Sequence, residues 1–234
     1  MLMQCPICLW TGRDWCPVES RPRVFARKGC PRCGSYPRDR ITFILLERLQ
    51  QSSPKKKLAV GEIGGSVHSY TWKKKRYDYW NADIAKGVGK KVDVAIKACR
   101  IQSSPTEADV AILSYVLSEV ERKQCRIGLM KELHRFTTSA GRMIFFDDLA
   151  LTSRAHRIHS EGAFFHTIQL GRPILGEMKS ADWRVAVIDS FKFRGIKAEM
   201  EMPFILAAKS QHLLLGLLRC IRTTDKNQKF TRGS

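Results

Sequence analysis

Leu58-Ala59-Val60-Gly61-Glu62-Ile63-Gly64-Gly65-Ser66 runs from a short apolar stretch straight into a glycine-rich turn. An apolar run of this length, closed by glycine, reads as a buried strand. The glycines let a backbone approach a ligand closely. The same unit recurs outward along the chain. Residues 77–82 end in Asp83, 92–96 end at Lys97, 109–113 end at Ser114-Tyr115, and 142–146 end at Asp147-Asp148. A helical stretch over residues 120–136 separates the last two of these runs. Strands alternating with helices or short crossovers predict a mostly parallel α/β sheet. The connections 67–76 and 84–91 are short for full-length helices, so a trimmed version of such a fold is expected.

The rhythm then changes. Residues 152–180 read as loop, with Gly162, Gly171, Pro173 and Gly176. Helical spacing at Trp183, Val187 and Phe191 predicts a helix over 182–193, residues 195–202 alternate as a strand does, and 212–222 form a second strand-like run. Two consecutive strands at the end predict an antiparallel pair closing the sheet. Residues 225–234 read as a disordered tail.

Toward the N-terminus, Cys5-Pro6-Ile7-Cys8 and Cys30-Pro31-Arg32-Cys33 are two Cys-x-x-Cys knuckles separated by 21 residues. Two such turns supply the four thiolates of a tetrahedral zinc site. Gly34 suits the positive φ that such a turn demands. A disulfide pair and a redox Cys-x-x-Cys are the rival readings. Met1 to Cys5 has neither a basic start nor a long apolar run, so no secretory signal is read and a cytoplasmic protein is expected, which disfavours disulfides. A redox motif expects a thioredoxin-like βαβ context that is missing around these cysteines. A closed four-cysteine site has no open coordination position, so its zinc is structural and holds together a segment too short for its own core. Cys16 is read as a spectator. Residues 37–50 look helical, with Ile41, Ile44, Leu45 and Leu49 on one face, and Gln51-Ser52-Ser53-Pro54 breaks the pattern. The expected division is a zinc ribbon over 1–36, a connecting helix and linker over 37–54, and an α/β domain over 55–224.

The 234 residues carry 41 Lys+Arg against 22 Asp+Glu, a formal charge of +19. With 44% hydrophobic residues the chain is globular rather than disordered, and no apolar stretch is long enough for a membrane helix. The charge suggests a polyanionic partner (RNA, DNA, an anionic membrane surface or an acidic small molecule), the alternative being a generally basic, solvated surface. Nine of the basic residues lie within the first fifty, among them Arg38 and Arg40, interleaved with Trp10, Trp15, Phe25 and Tyr36. These aromatics either stack bases or fill the ribbon's small core. Two further runs, Lys55-Lys56-Lys57 and Lys73-Lys74-Lys75-Arg76, flank the first strand and predict a basic rim around the ligand-binding edge.

Ligands of open α/β sheets bind beyond the carboxyl ends of the strands. Glu62, Gly64, Gly65 and Ser66 follow the first strand, and Asp83 ends the second, where an acid can accept from both hydroxyls of a ribose. With these residues in view, the chain resembles class I S-adenosylmethionine-dependent methyltransferases, which carry an acid-and-glycine loop after strand one, a ribose-binding acid after strand two and a final antiparallel strand pair. More specifically it resembles a bacterial subgroup with an N-terminal zinc ribbon, through Cys30-Pro31-Arg32-Cys33-Gly34-Ser35 followed by Arg38 and Arg40. Ser114 to Val120, and Leu133-His134-Arg135-Phe136 before Ser139-Ala140-Gly141, resemble that family's segments after strand four and before strand five.

The resemblance implies a Rossmann-like methyltransferase sheet, S-adenosylmethionine as cofactor, and Glu62, Gly64, Gly65, Ser66 and Asp83 as its contacts. Three positions depart from the pattern: Ser66 and His68 stand where glycines are usual, and Lys97 replaces an acid that would accept from the adenine amino group. For catalysis the candidates are Tyr115, Glu119, Asp147 and Asp148, beside the strand ends that would face the methyl group. His156, His159 and His166 read as solvated or core residues. The rival function is a non-catalytic zinc-ribbon protein that binds nucleic acid or a ribosomal partner through a degenerate methyltransferase-like domain. A nicotinamide enzyme is disfavoured because the loop lacks Gly-x-Gly-x-x-Gly.

Overall fold

The computed structural model describes residues 3–13, 29–65, 67–83, 92–97, 100–102, 106–147, 149–150, 156–157, 168–188, 191–193, 196–200 and 204–222. Eight strands form the central sheet: β1 (Ala59–Ile63), β2 (Asp78–Asp83), β3 (Val94–Lys97), β4 (Arg100–Ile101), β5 (Ala108–Ser114), β6 (Thr137–Phe146), β7 (Arg184–Ile188) and β8 (Phe204–Ala208). Their order is β7-β8-β6-β5-β1-β2-β3-β4. The five strands from β6 through β5, β1 and β2 to β3 run parallel; β8 is antiparallel to both β6 and β7, and β4 to β3. This is the expected mostly parallel α/β sheet with an antiparallel C-terminal pair.

Every residue of β5 is buried, as a central strand covered on both faces requires. Alternate residues build two cores. On one face Ala111, Leu113, Met143 and Phe145 meet Leu129, Met130 and Leu133 of a helix over Lys123–Arg135 and Ile174 and Met178 of another over Pro173–Ser180. On the other face Val110, Ile112, Ile144 and Phe146 meet Ile41, Ile44, Leu45 and Leu49 of α1 (Pro37–Gln51). Tyr70 and Trp72 of α2 (Val67–Arg76) and Leu214 and Leu217 of a helix over Gln211–Arg222 complete that layer. In chain order the helices over Lys123–Arg135, Pro173–Ser180 and Gln211–Arg222 are α3, α4 and α5. Helix α1 therefore shares the core of the α/β body. Among the described residues no helix is long and apolar enough to cross a membrane.

Several local expectations are corrected. Residues 67–76 form a ten-residue helix, and Pro173–Ser180 is a helix where loop was expected. The span read as a helix over 182–193 holds β7, because a spacing of four fits a strand face as well as a helix face: Trp183, Val185 and Val187 all turn to the first core. The run read as strand over 212–222 is α5, with Leu214 and Leu217 three apart and buried. The closing antiparallel pair is thus β7 with β8, while Phe191–Phe193 and Ile196–Met200 pair in a small sheet of their own.

Strand direction fixes what lies at each edge. The Leu58 N–H donates to Gln50 Oε1 (2.8 Å), so α1 ends at the amino edge of the sheet. Its first turn lies at the carboxyl edge, where Arg38 covers Tyr115, the residue after β5. The cysteine knuckle that precedes α1 is therefore carried to the carboxyl edge of the sheet. The two basic runs are not gathered there. Residues 55–57 precede β1 and lie toward the amino edge, as does Arg76 just before β2, whereas Lys73 and Lys74 reach Glu62 (2.6 Å) and Asp93 (3.6 Å). At the amino edge Lys55 pairs with Asp109 (2.7 Å) and Arg76 with Glu47 (3.2 Å), while Lys73 turns into the interior. The expected basic rim is thus divided: Lys55 and Arg76 lie toward the amino edge, and Lys73 and Lys74 are paired with acids of the β1–β3 region.

Candidate functional site

Strand β1 has β2 on one side and β5 on the other, so the direction of chain crossover reverses beside it. The crevice beyond its carboxyl end is the position where open α/β sheets bind ligands. Gly64 sits there at φ +78° and donates its N–H to the Ala82 carbonyl (3.1 Å). A Cβ at Gly64 would fall 2.3 Å from the Ser114 carbonyl oxygen, and one at Gly65 2.8 Å from Glu62 Oε2 and 2.9 Å from Asn81 Oδ1. Both glycines are thus dictated by close packing of the loop against β5 and β2.

Glu62 is buried and bonded within the protein. Its Oε2 accepts from Lys73 Nζ (2.6 Å) and from the Tyr79 hydroxyl (2.5 Å), and Lys73 is itself only 1% exposed. Burial, and then the Glu62 charge, push the Tyr79 phenol well above its ordinary range, so it stays a proton donor. Asp83 ends β2 half-buried. Beside it, Asp93 accepts from the Asn81 N–H (3.0 Å) and the Tyr70 hydroxyl (3.1 Å).

At the neighbouring strand ends, Tyr115 follows β5 at φ +54°, and its N–H donates to the Phe146 carbonyl (2.8 Å). The Arg38 guanidinium stands 4.7 Å from the Tyr115 ring centroid. Asp147 follows β6, fully buried, and its Oδ2 accepts the Ser118 N–H (3.2 Å) of the short turn Leu117–Glu119. Glu119 is exposed at the end of that turn. The fold thus brings Glu62, Gly64, Gly65, Asp83, Tyr115 and Asp147 to one sheet edge. Ser66, Asp148, Cys16, His159 and His166 lie outside the described residues. Only the backbone is described at His68 in α2, at Lys97 in β3 and at His156 in a two-residue strand.

The knuckles are two copies of one turn. Leu9 N–H donates to the Cys5 carbonyl and Gly34 N–H to the Cys30 carbonyl (2.9 and 2.8 Å), with Leu9 and Gly34 both at positive φ. A hairpin of Met3–Gln4 with Thr11–Gly12 frames the first, and Trp10 packs on the cysteines, a core-filling role. The four Sγ atoms lie within 4.8 Å of one another, with Cys5 to Cys33 at 3.7 Å and Cys8 to Cys30 at 3.6 Å. Zn–S bonds of about 2.3 Å in a tetrahedron put sulfurs about 3.8 Å apart, so these residues fit a zinc ion. All four are free thiols. Burial opposes ionisation of Cys5, but hydrogen bonds from Ser35 and from the Cys8 and Ile7 backbone hold its thiol below the ordinary range; burial pushes Cys8 and Cys33 up.

Sequence reasoning singled out Ser35 and Arg40 only through the family resemblance, and it gave Lys73 and Tyr79 no part in the site. Ser35 Oγ lies 3.2 Å from Cys33 Sγ, and buried Arg40 donates through Nη1 to the Ser35 carbonyl (2.6 Å). Lys73 and Tyr79 surround Glu62. Beyond that resemblance, position was the available signal: Arg40 stands four residues before Ile44 on the buried side of α1, whereas Lys73 is hidden in a run of four basic residues.

No family model matches the chain, and no curated protein matches it. Solved structures are similar to it in fold. The pyocyanin biosynthetic protein PhzM superposes with a TM-score of 0.43 at 11% identity, over 73% of this chain and 56% of that one. An S-adenosylmethionine-dependent methyltransferase from Clostridium acetobutylicum gives 0.48 at 9% identity over 71% and 91%. The glycopeptide N-methyltransferase MtfA complexed with S-adenosylhomocysteine gives 0.48 at 10% identity over 70% and 88%.

Proposed function

We propose that the chain is an S-adenosylmethionine-dependent methyltransferase of the group with an N-terminal four-cysteine zinc module, formed by residues 1–36. The observation that carries this reading is the crevice at the carboxyl end of β1, where Gly64 holds a left-handed turn and Asp83 stands at the end of the adjacent strand. The residues present fit the cofactor. Gly64 and Gly65 offer bare backbone, Asp83 would accept from the ribose hydroxyls, and Glu62, whose Oε2 is occupied, would accept through Oε1.

When bound, the cofactor supplies an electrophilic methyl group on a sulfonium. Transfer is an in-line displacement, so alignment of the acceptor supplies much of the rate. A base is needed only where the acceptor must lose a proton, and Tyr115, Glu119, Asp147 and Asp148 are the groups proposed for that edge. Cys5, Cys8, Cys30 and Cys33 would hold zinc as a closed structural site. The net charge of +19 supports RNA or another polyanion as acceptor, ahead of a small molecule or sugar. Calorimetry with S-adenosylhomocysteine tests the reading: one site per chain is expected, weakened by Asp83→Ala. Absence of binding at millimolar ligand overturns it and leaves a non-catalytic binding protein.

A further inference from the structure

Two arginines of one helical turn face opposite ways at the junction between the cysteine centre and the sheet edge. Arg40, 1% exposed, reaches back to the knuckle: its Nη1 donates to the carbonyl of Ser35, whose hydroxyl lies 3.2 Å from Cys33 Sγ and 3.5 Å from Cys5 Sγ. Four thiolates around a divalent ion leave two negative charges, and a buried guanidinium is the counter-charge such a centre needs. Arg38 reaches the other way. Its guanidinium stands 5.7 Å from the ring of Tyr36, three residues past Cys33, and 4.7 Å from the ring of Tyr115 at the end of β5. Asp39 fixes the turn that carries both, since its Oδ2 accepts the Tyr36 N–H (2.8 Å) and its Oδ1 lies 3.9 Å from Arg38 Nε.

We propose that Arg38 and Arg40 tie the metal state of the four-cysteine centre to the placement of Tyr115. The proposal rests on the zinc reading of the cysteines and goes beyond a structural role for that ion. Metal binding closes the second knuckle, Arg40 locks the start of α1 onto it, and Arg38 then holds the Tyr115 ring through a cation–π contact. Tyr115 needs such a hold, because a bulky residue at φ +54° keeps that conformation only when its surroundings over-determine it. Arg38 is a positioning residue. The zinc module is thereby a part of the ligand-binding edge, and losing its metal would loosen Tyr115.

Fluorine NMR of fluorotyrosine-labelled full chain tests this, since the chain has five tyrosines and Tyr115→Phe and Tyr36→Phe assign the two that matter. Chelating the metal is expected to shift or broaden the Tyr36 and Tyr115 resonances and to leave those of buried Tyr77 and Tyr79 in place. Arg38→Ala with metal bound is expected to move the Tyr115 resonance to its metal-free position and abolish its response to chelation. A Tyr115 resonance that ignores chelation while Tyr36 responds, or that still responds in Arg38→Ala, overturns the coupling. Should chelation also move Tyr77 and Tyr79, showing loss of the fold, the metal-loaded Arg38→Ala protein decides, and an unmoved Tyr115 resonance there overturns it. Metal analysis separates the two readings: a chain without zinc overturns both, and a zinc-bound chain that fails the Arg38→Ala arm overturns only the coupling.

Discussion

Replacing Lys73 with methionine removes one partner of a deeply buried ion pair beside the Gly64-Gly65 turn. Lys73 Nζ lies 2.6 Å from Glu62 Oε2, and the two side chains are 1% and 3% exposed. Removing one partner of such a pair costs roughly 3–5 kcal/mol, because the remaining charge stays out of water without compensation. Tyr79 still donates to the same oxygen, which places the expected loss for Lys73→Met near the lower end, about 3 kcal/mol. For a chain of this size that corresponds to a fall in Tm of roughly 6–12 °C. The assay is urea unfolding of zinc-saturated protein, with the double variant Lys73→Met/Glu62→Gln measured alongside. Neutralising both partners is expected to restore at least half of the lost stability. A loss below about 1 kcal/mol in the single variant, or a double variant no better than the single, refutes the view that this pair shapes the loop.

Three shorter predictions follow from the same structure. Gly64→Ala adds a Cβ 2.3 Å from the Ser114 carbonyl oxygen at φ +78° and is expected to cost more than about 2 kcal/mol; a thermal melt within experimental error of the parent contradicts the close approach. Cys30→Ser is expected to lower zinc from one ion per chain and to destabilise the protein, and unchanged zinc content by elemental analysis refutes the four-cysteine site. Burial, and then the charge of Lys209, hold His134 below the ordinary histidine pKa of about 6.5, so it is the unfolded chain that takes up the proton more readily. Stability is therefore expected to be full above about pH 6.5 and to fall as the pH drops below it. In His134→Gln that fall is expected to be shallower, and an identical pH profile of urea midpoints removes His134 from the account.

What was legible in the sequence were the features fixed by local pattern. Residues 109–113 read as a buried strand because the unbroken apolar run from Val110 to Leu113 has few other uses in an α/β chain, and β5 is buried throughout. The convergence of Cys5, Cys8, Cys30 and Cys33 was legible because each Cys-x-x-Cys spacing specifies its own turn, seen in the matching Leu9 and Gly34 conformations. Illegible features depend on long-range partners. Trp183 and Val187, four apart, satisfy both periods, and only pairing of β7 with β8 decides between them. Lys73 and Arg40 are buried because Glu62 and the knuckle await them, which no composition window reports. The basic runs were misplaced for a similar reason: adjacency to β1 in sequence says nothing about which edge of the sheet they reach.

The most direct test of the central claim is titration calorimetry of the zinc-loaded chain with S-adenosylhomocysteine, run in parallel on Asp83→Ala. The account predicts a single saturable site in the parent and at least tenfold weaker binding in a variant that remains folded. A parent chain that gives no heat of binding at millimolar ligand, or a variant that binds as tightly as the parent, contradicts it.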